Sequence, residues 1–317
     1  MSERVTAALD QQAGGARKAT GAAVTVMATI MLALGNVTIP TVYAHGATPT
    51  ATILVRYLVL IAGLLVLLPL LGQPLRLERR FWGHAMAAGC LSSIGSLSLI
   101  TAFGLIPVSL ALLILYLYPI LTAILQSLIE RRPVSPAQFA CLIAAFSGLA
   151  ISLGVGGAGF AHGMNPLGVL SVVVAAFGFA GFFVWSRYGL AGVAPGSTTL
   201  FTSLSGFGFA ASVGLGLHLT GVASLAVPGL GDGTGWLAML AVSICFSVAY
   251  FGMSWGVQLI GATPATLLMN LETVFTLCLA ALVLRESIDA QRLIGAAVVL
   301  SSVLASQVLA ARSAAPA

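Results

Sequence analysis

The chain has 317 residues, of which 59% are hydrophobic and only 7% charged, with a mean hydropathy of +1.08. Soluble domains carry about 25% charged residues, so this composition excludes a soluble fold: there are too few charges to solvate a surface. The formal net charge of +5 reads as Lys and Arg anchoring short loops at a membrane, not as a nucleic-acid interface.

Crossing a bilayer takes about 20 apolar residues. About ten segments meet that length, with cores near 20–43, 48–71, 81–104, 108–129, 136–155, 166–188, 197–219, 235–259, 262–284 and 290–310. The runs are continuous and not alternating, which excludes a β-barrel. The expected fold class is all-α integral membrane. Residues 1–18 are polar, and the first apolar segment is longer than the roughly 7–15 residues of a signal-peptide core, so it stays as a helix. Breaks carry turn chemistry: Gly72-Gln73-Pro74, Arg131-Arg132-Pro133, a glycine-rich stretch at 154–163, and 229–235. Only Ile106-Pro107 divides the third and fourth segments, and only Gly261 and its neighbours divide the eighth and ninth, so these pairs are antiparallel neighbours.

The second half reads as a rewritten copy of the first. At one fixed offset Leu105-Ile106 lies over Leu259-Ile260, Ala111 over Ala265, Leu117 over Leu271, Thr122 over Thr276, Leu128 over Leu282, Arg131 over Arg285, Ser147 over Ser301 and Ser152 over Ser306. Duplicated helical bundles are a common plan of secondary transporters, with substrate held between the repeats near the midplane. The organisation follows: a cytoplasmic tail at 1–18, a first repeat of five spans at 19–155, an outside linker at 156–164, a second repeat at 165–310 and a tail at 311–317. Five is odd, so the second repeat is inverted. The inside loops then hold Arg4, Arg17, Lys18, Arg76, Arg79, Arg80, Arg131, Arg132, Arg187 and Arg312, which puts both termini in the cytoplasm of a cell with this chain in its inner (plasma) membrane. Arg285 and Arg292 lie outside, interleaved with Glu286 and Asp289; inversion of the repeat explains the exception.

Two charges fall well inside spans: Arg56 in the second and Glu272 in the ninth. A charge at a helix centre costs about 2.5–3.5 kcal/mol on insertion scales. Either the two pair and lock the bundle, or Arg56 snorkels to the outer interface, or they serve a cavity in which Glu272 also carries a proton. In the ninth span Thr266, Asn270 and Thr273 share one face and Met269, Glu272 and Thr276 an adjoining one. The offset sets Tyr116 opposite Asn270 and Tyr118 opposite Glu272, and Tyr118, Thr122 and Gln126 form a stripe of their own. Interhelical hydrogen bonding and substrate binding are both open for these groups, as for Asn36, Ser93, Ser247 and Tyr250. Small residues crowd Ala175–Gly181 and Ser205–Gly208, as close helix packing requires. Phe179, Phe182, Trp185 and Trp255 line a substrate path or belong to core and interface belt.

Enzyme signals are absent. Cys90, Cys141, Cys245 and Cys278 sit in apolar runs as packing residues, and His45, His84, His162 and His218 lack metal-ligand spacing. Neither GxSxG nor HExxH occurs, and the glycines from 154 to 159 read as a turn, not a phosphate loop. No metal and no cofactor is expected.

Taken together, the repeat and its motifs resemble the EamA type of the drug/metabolite transporter (DMT) superfamily over nearly the whole chain. That family carries leucine-glutamate-proline in its ninth helix, then a run ending in leucine-glycine-glutamate, a polar turn and a glycine. Asn270-Leu271-Glu272-Thr273-Val274-Phe275 and Val283-Leu284-Arg285-Glu286 match it, followed by Gly295, with Thr273 in place of the usual proline. In the first copy Leu117-Tyr118-Pro119 keeps the proline but has Tyr118 for the glutamate; Arg132 stands where Glu286 does, and Cys141 where glycine is usual. Arg56 in Val55-Arg56-Tyr57 resembles the arginine of the family's second helix. The resemblance implies ten helices as two inverted five-helix repeats and a secondary transporter, working without ATP, that exports a small metabolite such as an amino acid. The repeats would rock about a central cavity lined by the third, fourth, eighth and ninth helices with the first and sixth. The candidate lining is Asn36, Tyr116, Tyr118, Tyr250, Asn270 and Glu272, with Arg56 and Glu272 as coupling or structural charges. Partners are the metabolite, the lipid bilayer and, as candidate coupling ion, the proton; the chain is a monomer or weak homo-oligomer. The competing expectations are a passive channel or uniporter-like facilitator, and a membrane enzyme acting on lipid, which would need clustered His, Asp or Glu at one interface.

Overall fold

The structure, a computed structural model, describes residues 2–131, 136–152, 165–221, 224–260, 268–269, 271–284 and 290–314. The glycine-rich stretch at 154–163, Arg132, Gly261, Thr266, Asn270, Arg285, Glu286 and Asp289 lie outside these residues. In chain order the helices are α1 (Ser2–Ala44), α2 (Pro49–Leu70), α3 (Trp82–Phe103, entered by a 3-10 turn at Arg79–Phe81), α4 (Val108–Leu115), α5 (Tyr118–Ile129), α6 (Pro136–Ser152), α7 (Pro166–Gly189), α8 (Pro195–Leu219), α9 (Gly233–Ile260), α10 (Leu271–Val283) and α11 (Ala290–Ala314). Among the described residues there is no strand. Seven apolar helical stretches are long enough to cross a membrane, one of them made by α4 and α5 together, and three shorter apolar helices lie at Phe139–Gly148, Val274–Val283 and Leu293–Ala305. The chain is thus an all-α membrane protein of ten helical units arranged as two inverted five-helix repeats.

Helix ends follow local chemistry. Thr48 accepts the Ala51 N–H at 3.4 Å and Pro49 opens α2; Asn165 accepts the Leu167 N–H at 3.0 Å and Pro166 opens α7. At the other end of α2, Gly72 takes φ +65°, which lets Gln73 N–H reach Leu68 O at 2.8 Å and close the helix. Asp232 caps α9 by accepting the Gly235 N–H at 2.9 Å, and its second oxygen meets His45 Nδ1 at 2.6 Å, tying the ends of α1 and α9 together. The Gly235 N–H, with His45 beside it, holds the Asp232 carboxyl below the usual carboxylate range.

One span departs from expectation. The segment at 108–129 reads as one helix, but the chain breaks between α4 and α5, with a 3-10-like bond from Leu117 N–H to Ile114 O at 3.1 Å. Pro119 in the first turn of α5 supplies no N–H to continue the ladder of α4. The break places Tyr116 in the turn and Tyr118 at the first residue of α5, within the apolar stretch 110–129.

Packing reproduces the duplication. The heaviest contacts join α1 to α9 and α3 to α7, the first helix of each repeat against the third of the other. The contact of α2 with α9 has its counterpart in α3 with α8, while α2–α8 and α6–α11 pair equivalent helices across the pseudo-twofold axis. Lipid offers no hydrophobic drive between helices, so association depends on close backbone approach. A Cβ added at Gly178 would stand 2.8 Å from Gly95 N; at Gly89, 2.5 Å from Thr202 O; at Gly148, 2.9 Å from Gly295 O. Large apolar side chains such as Val66, Leu170, Leu237 and Leu282 point outward, where lipid meets them.

Two outcomes follow. Gly178→Ala should cost about 1–3 kcal/mol by overpacking the α3–α7 crossing, read as a lower melting temperature in detergent, whereas Gly208→Ala, with nothing within 4 Å, should be neutral or stabilising. Asp232→Ala should lower the melting temperature at neutral pH. Because the native carboxyl sits low, its stabilisation is present above the unfolded pKa and fades as pH falls through the folded one, so the variant's deficit should shrink in acid.

Candidate functional site

The central polar cluster is built across the repeats. Asn36, 4% exposed on α1, donates from Nδ2 to Glu272 Oε1 of α10 at 3.0 Å. The Tyr116 hydroxyl, delivered by the break between α4 and α5, lies 3.2 Å from Met269 O and 3.5 Å from Glu272 Oε2. Glu272 is therefore held by one good hydrogen bond and one at the limit of reach, both from neutral groups of the first repeat. A carboxylate has room for about four such bonds, so this one keeps acceptor capacity.

Tyr118 adjoins this cluster and faces α7. Its ring lies 6.2 Å from Tyr116, stacks on Phe183 at 5.4 Å and sits 6.4 Å from Phe179. Phe182 joins the same wall through Phe183 at 5.2 Å. Trp185 and Trp255 do not belong to it: they are 44% and 43% exposed at the periphery, against His84 and Phe251. Thr122 donates to Tyr118 O at 2.7 Å and Ser247 to Ser243 O at 2.8 Å, so both hydroxyls serve their own helices. Asn270 lies outside the described residues.

Arg56 does neither of the simple things a membrane arginine does. It does not reach the interface, being 6% exposed, and it forms no ion pair with Glu272, though each lies within electrostatic reach of the other. Its guanidinium lies over the Phe246 ring of α9 at 4.0 Å from the centroid, a cation–π contact favoured where water is scarce. Its Nε is buried without a partner. Tyr250 packs on the same Phe246 at 5.4 Å, so this candidate lies on the Arg56 side of the site, apart from Glu272.

Beside Arg56 the structure gathers Tyr57 and three serines of α3, of which only Ser93 was named among the sequence candidates. Tyr57, 4% exposed, has its hydroxyl beside Ser92, Ser93 and Ser96 of α3 but within bonding geometry of none, and Ser92 also neighbours Tyr250. Ser93 is fully buried and its hydroxyl too has no partner. The available signal was the i, i+4 spacing of Ser92 and Ser96 together with the Arg56-Tyr57 pair. An apolar groove of about 610 Å³ between α1, α2 and α9 reaches Leu60, one turn along α2 from Arg56, and Ser247, next to Phe246. Among the described residues no three His, Cys, Asp or Glu side chains converge as a metal site would require.

The site is thus a seam between repeats with one carboxylate, one guanidinium, neutral hydroxyls and an aromatic wall. These groups offer hydrogen-bond donors and acceptors, one charge of each sign and stacking surface, the means of binding a small polar molecule. A solved structure titled "Crystal structure of protein" superposes with a TM-score of 0.63 at 19% identity, covering 94% of this chain and 99% of that one, a likeness of fold. No curated protein matches the chain. Residues 19–154 and 166–306 each match the EamA-like transporter family. With two matched stretches that coincide with the two halves of the helical duplication, the chain belongs to the EamA-like transporter family.

Proposed function

We propose that this multi-pass membrane transporter is a secondary exporter of a small metabolite such as an amino acid, working by alternating access without ATP. The observation that supports it best is the placement of Glu272: a carboxylate of the second repeat held by Asn36 and Tyr116 of the first. Such bonds are made and broken when the halves of the seam move apart, so occupancy of Glu272 is coupled to the state of the seam. Neutral donors hold the carboxylate without cancelling its charge, leaving it available to a substrate ammonium or to a proton. The groups facing it are Asn36 of α1, Tyr116 and Tyr118 around the α4–α5 break, and, at longer range, Arg56 of α2. Proton coupling at Glu272 is part of this reading, as is the orientation with both termini in the cytoplasm of a plasma membrane.

Counterflow in proteoliposomes with an amino-acid panel tests it. Removing the charge by Glu272→Gln, which keeps the side chain's size, should slow exchange by roughly ten- to a hundredfold, the equivalent of a charge-assisted hydrogen bond of about 1.5–3 kcal/mol, and should flatten its pH dependence. Asn36→Ala should slow exchange less. Saturation of flux separates a carrier from a passive pore. Flux that never saturates, or a panel none of whose members moves, would overturn the proposal; pH-independent exchange unaltered by Glu272→Gln would remove the proton.

A further inference from the structure

Arg56, Tyr57 and Ser93 pose a problem that the transporter reading does not solve. Buried polar groups in native proteins are nearly always bonded, and a buried charge without a counter-ion is the costliest exception. Here Arg56 is 6%, Tyr57 4% and Ser93 0% exposed, and Arg56 Nε, Tyr57 Oη and Ser93 Oγ are all without partners. Glu272, the carboxylate that acts electrostatically on Arg56, is engaged by Asn36 and Tyr116 instead. Ordinary helix chemistry does not account for it either: Ser243 and Ser247 on α9 satisfy their hydroxyls by donating to the preceding turn, and Ser93 does not.

We propose that Arg56, Tyr57 and the serine face of α3, Ser92, Ser93 and Ser96, form the subsite that receives the carboxylate of the transported molecule. The guanidinium carbon lies 4.0 Å over the Phe246 centroid and Nε makes no hydrogen bond, which leaves donors for the bidentate geometry a carboxylate prefers. Hydroxyls that can turn their protons toward the ligand complete the shell. One guanidinium surrounded by neutral donors matches a monoanion; a phosphate dianion would leave charge uncompensated in a dry site. Glu272, whose charge acts on Arg56 without forming an ion pair, supplies the other pole, so the site fits a zwitterion whose ammonium turns toward Glu272 and Asn36. The close crossing that aligns the hydroxyls is itself built for this: a Cβ at Gly206 would stand 2.8 Å from Tyr57 Oη and 3.2 Å from Gly89 O, so glycine is what lets Tyr57 reach the α3 face.

This inference rests on the transporter reading, and its test is kept separate by measuring binding, not flux. Detergent-purified protein is titrated, with thermal stabilisation and intrinsic fluorescence as readouts, using the common amino acids, their methyl esters, their N-acetyl derivatives, simple monocarboxylates and inorganic phosphate. At least one free amino acid should bind, and its methyl ester should bind at least tenfold more weakly, a difference of about 1.4 kcal/mol. Arg56→Gln should weaken the acid to the level of the ester and leave the ester unchanged. Tyr57→Phe, which keeps the ring against Gly206, should weaken the acid several-fold; it stands in if Arg56→Gln does not fold, as judged by its elution as a single species. N-acetylation should cost affinity in wild type but not in Glu272→Gln. An ester that binds as well as its acid, an acid unaffected by Arg56→Gln and Tyr57→Phe, or tighter binding of phosphate than of any carboxylate overturns the proposal. So does a panel with no binder. None of these outcomes touches the transporter reading if counterflow still responds to Glu272→Gln, and failed counterflow with intact carboxylate-selective binding would sink that reading alone.

Discussion

Close backbone contact between helices of opposite repeats is what everything else in this protein hangs on. In lipid a leucine gains little by touching another leucine, because the tails it leaves are as apolar as the ones it meets. What remains is dispersion between well-fitted surfaces, and it falls off within fractions of an ångström. Gly95 against Gly178, Gly89 against Thr202 and Gly206, and Gly148 against Gly295 bring helix axes near enough for that attraction to act. The polar site is a by-product of the same crossings: where α3 meets α8 at Gly89 and Gly206, Tyr57 is squeezed against the serine face, and Arg56 beside it is carried inward over Phe246.

Polar side chains in such a setting have few places to go, and their arrangement divides by charge. At the acidic end Glu272 has Asn36 and, at the limit of reach, Tyr116. The basic end has an aromatic face and orphaned hydroxyls. A locked ion pair would have satisfied both ends at once and left a permanently closed seam. Separation keeps each end incomplete, and incompleteness is what a site needs if it is to hold a cargo only for part of a cycle.

Much of the architecture was readable before any coordinates. The fixed offset that lays Leu105-Ile106 over Leu259-Ile260 reappears as the symmetric pairing of α1–α9 with α3–α7. Glu272 and Asn36 stood out because a carboxylate and an amide are expensive in a bilayer, and the structure joins them. The break at Tyr116 was hidden for a physical reason: hydropathy registers side chains, and the loss of one backbone donor at Pro119 leaves a segment as apolar as before. Of the α3 serines only Ser93 was singled out, while Ser92 and Ser96 were hidden for another reason. A membrane serine usually bonds its own helix, so its position carries no information until geometry shows, as at Ser93, that it does not. Arg56 was recognised as unusual, and of the three expectations for it pairing and snorkelling gave way to a contact with Phe246 that sequence spacing does not reveal, while service to a cavity stays a proposal.

The cross-repeat pairing also bears on what moves. Ancestry divides the chain into a first and a second half, but mechanics need not respect ancestry. Because α1 is bound chiefly to α9 and α3 chiefly to α7, pulling the halves apart would break the two most extensive helix contacts among the described residues. The most extensive packing thus joins one lineage to the other, and the contact of α2 with α9, where Arg56 lies on Phe246, is less extensive than α1 against α9 or α3 against α7. Duplication supplied the parts in equivalent pairs, and exchange of partners between the copies bound them into a single interleaved bundle.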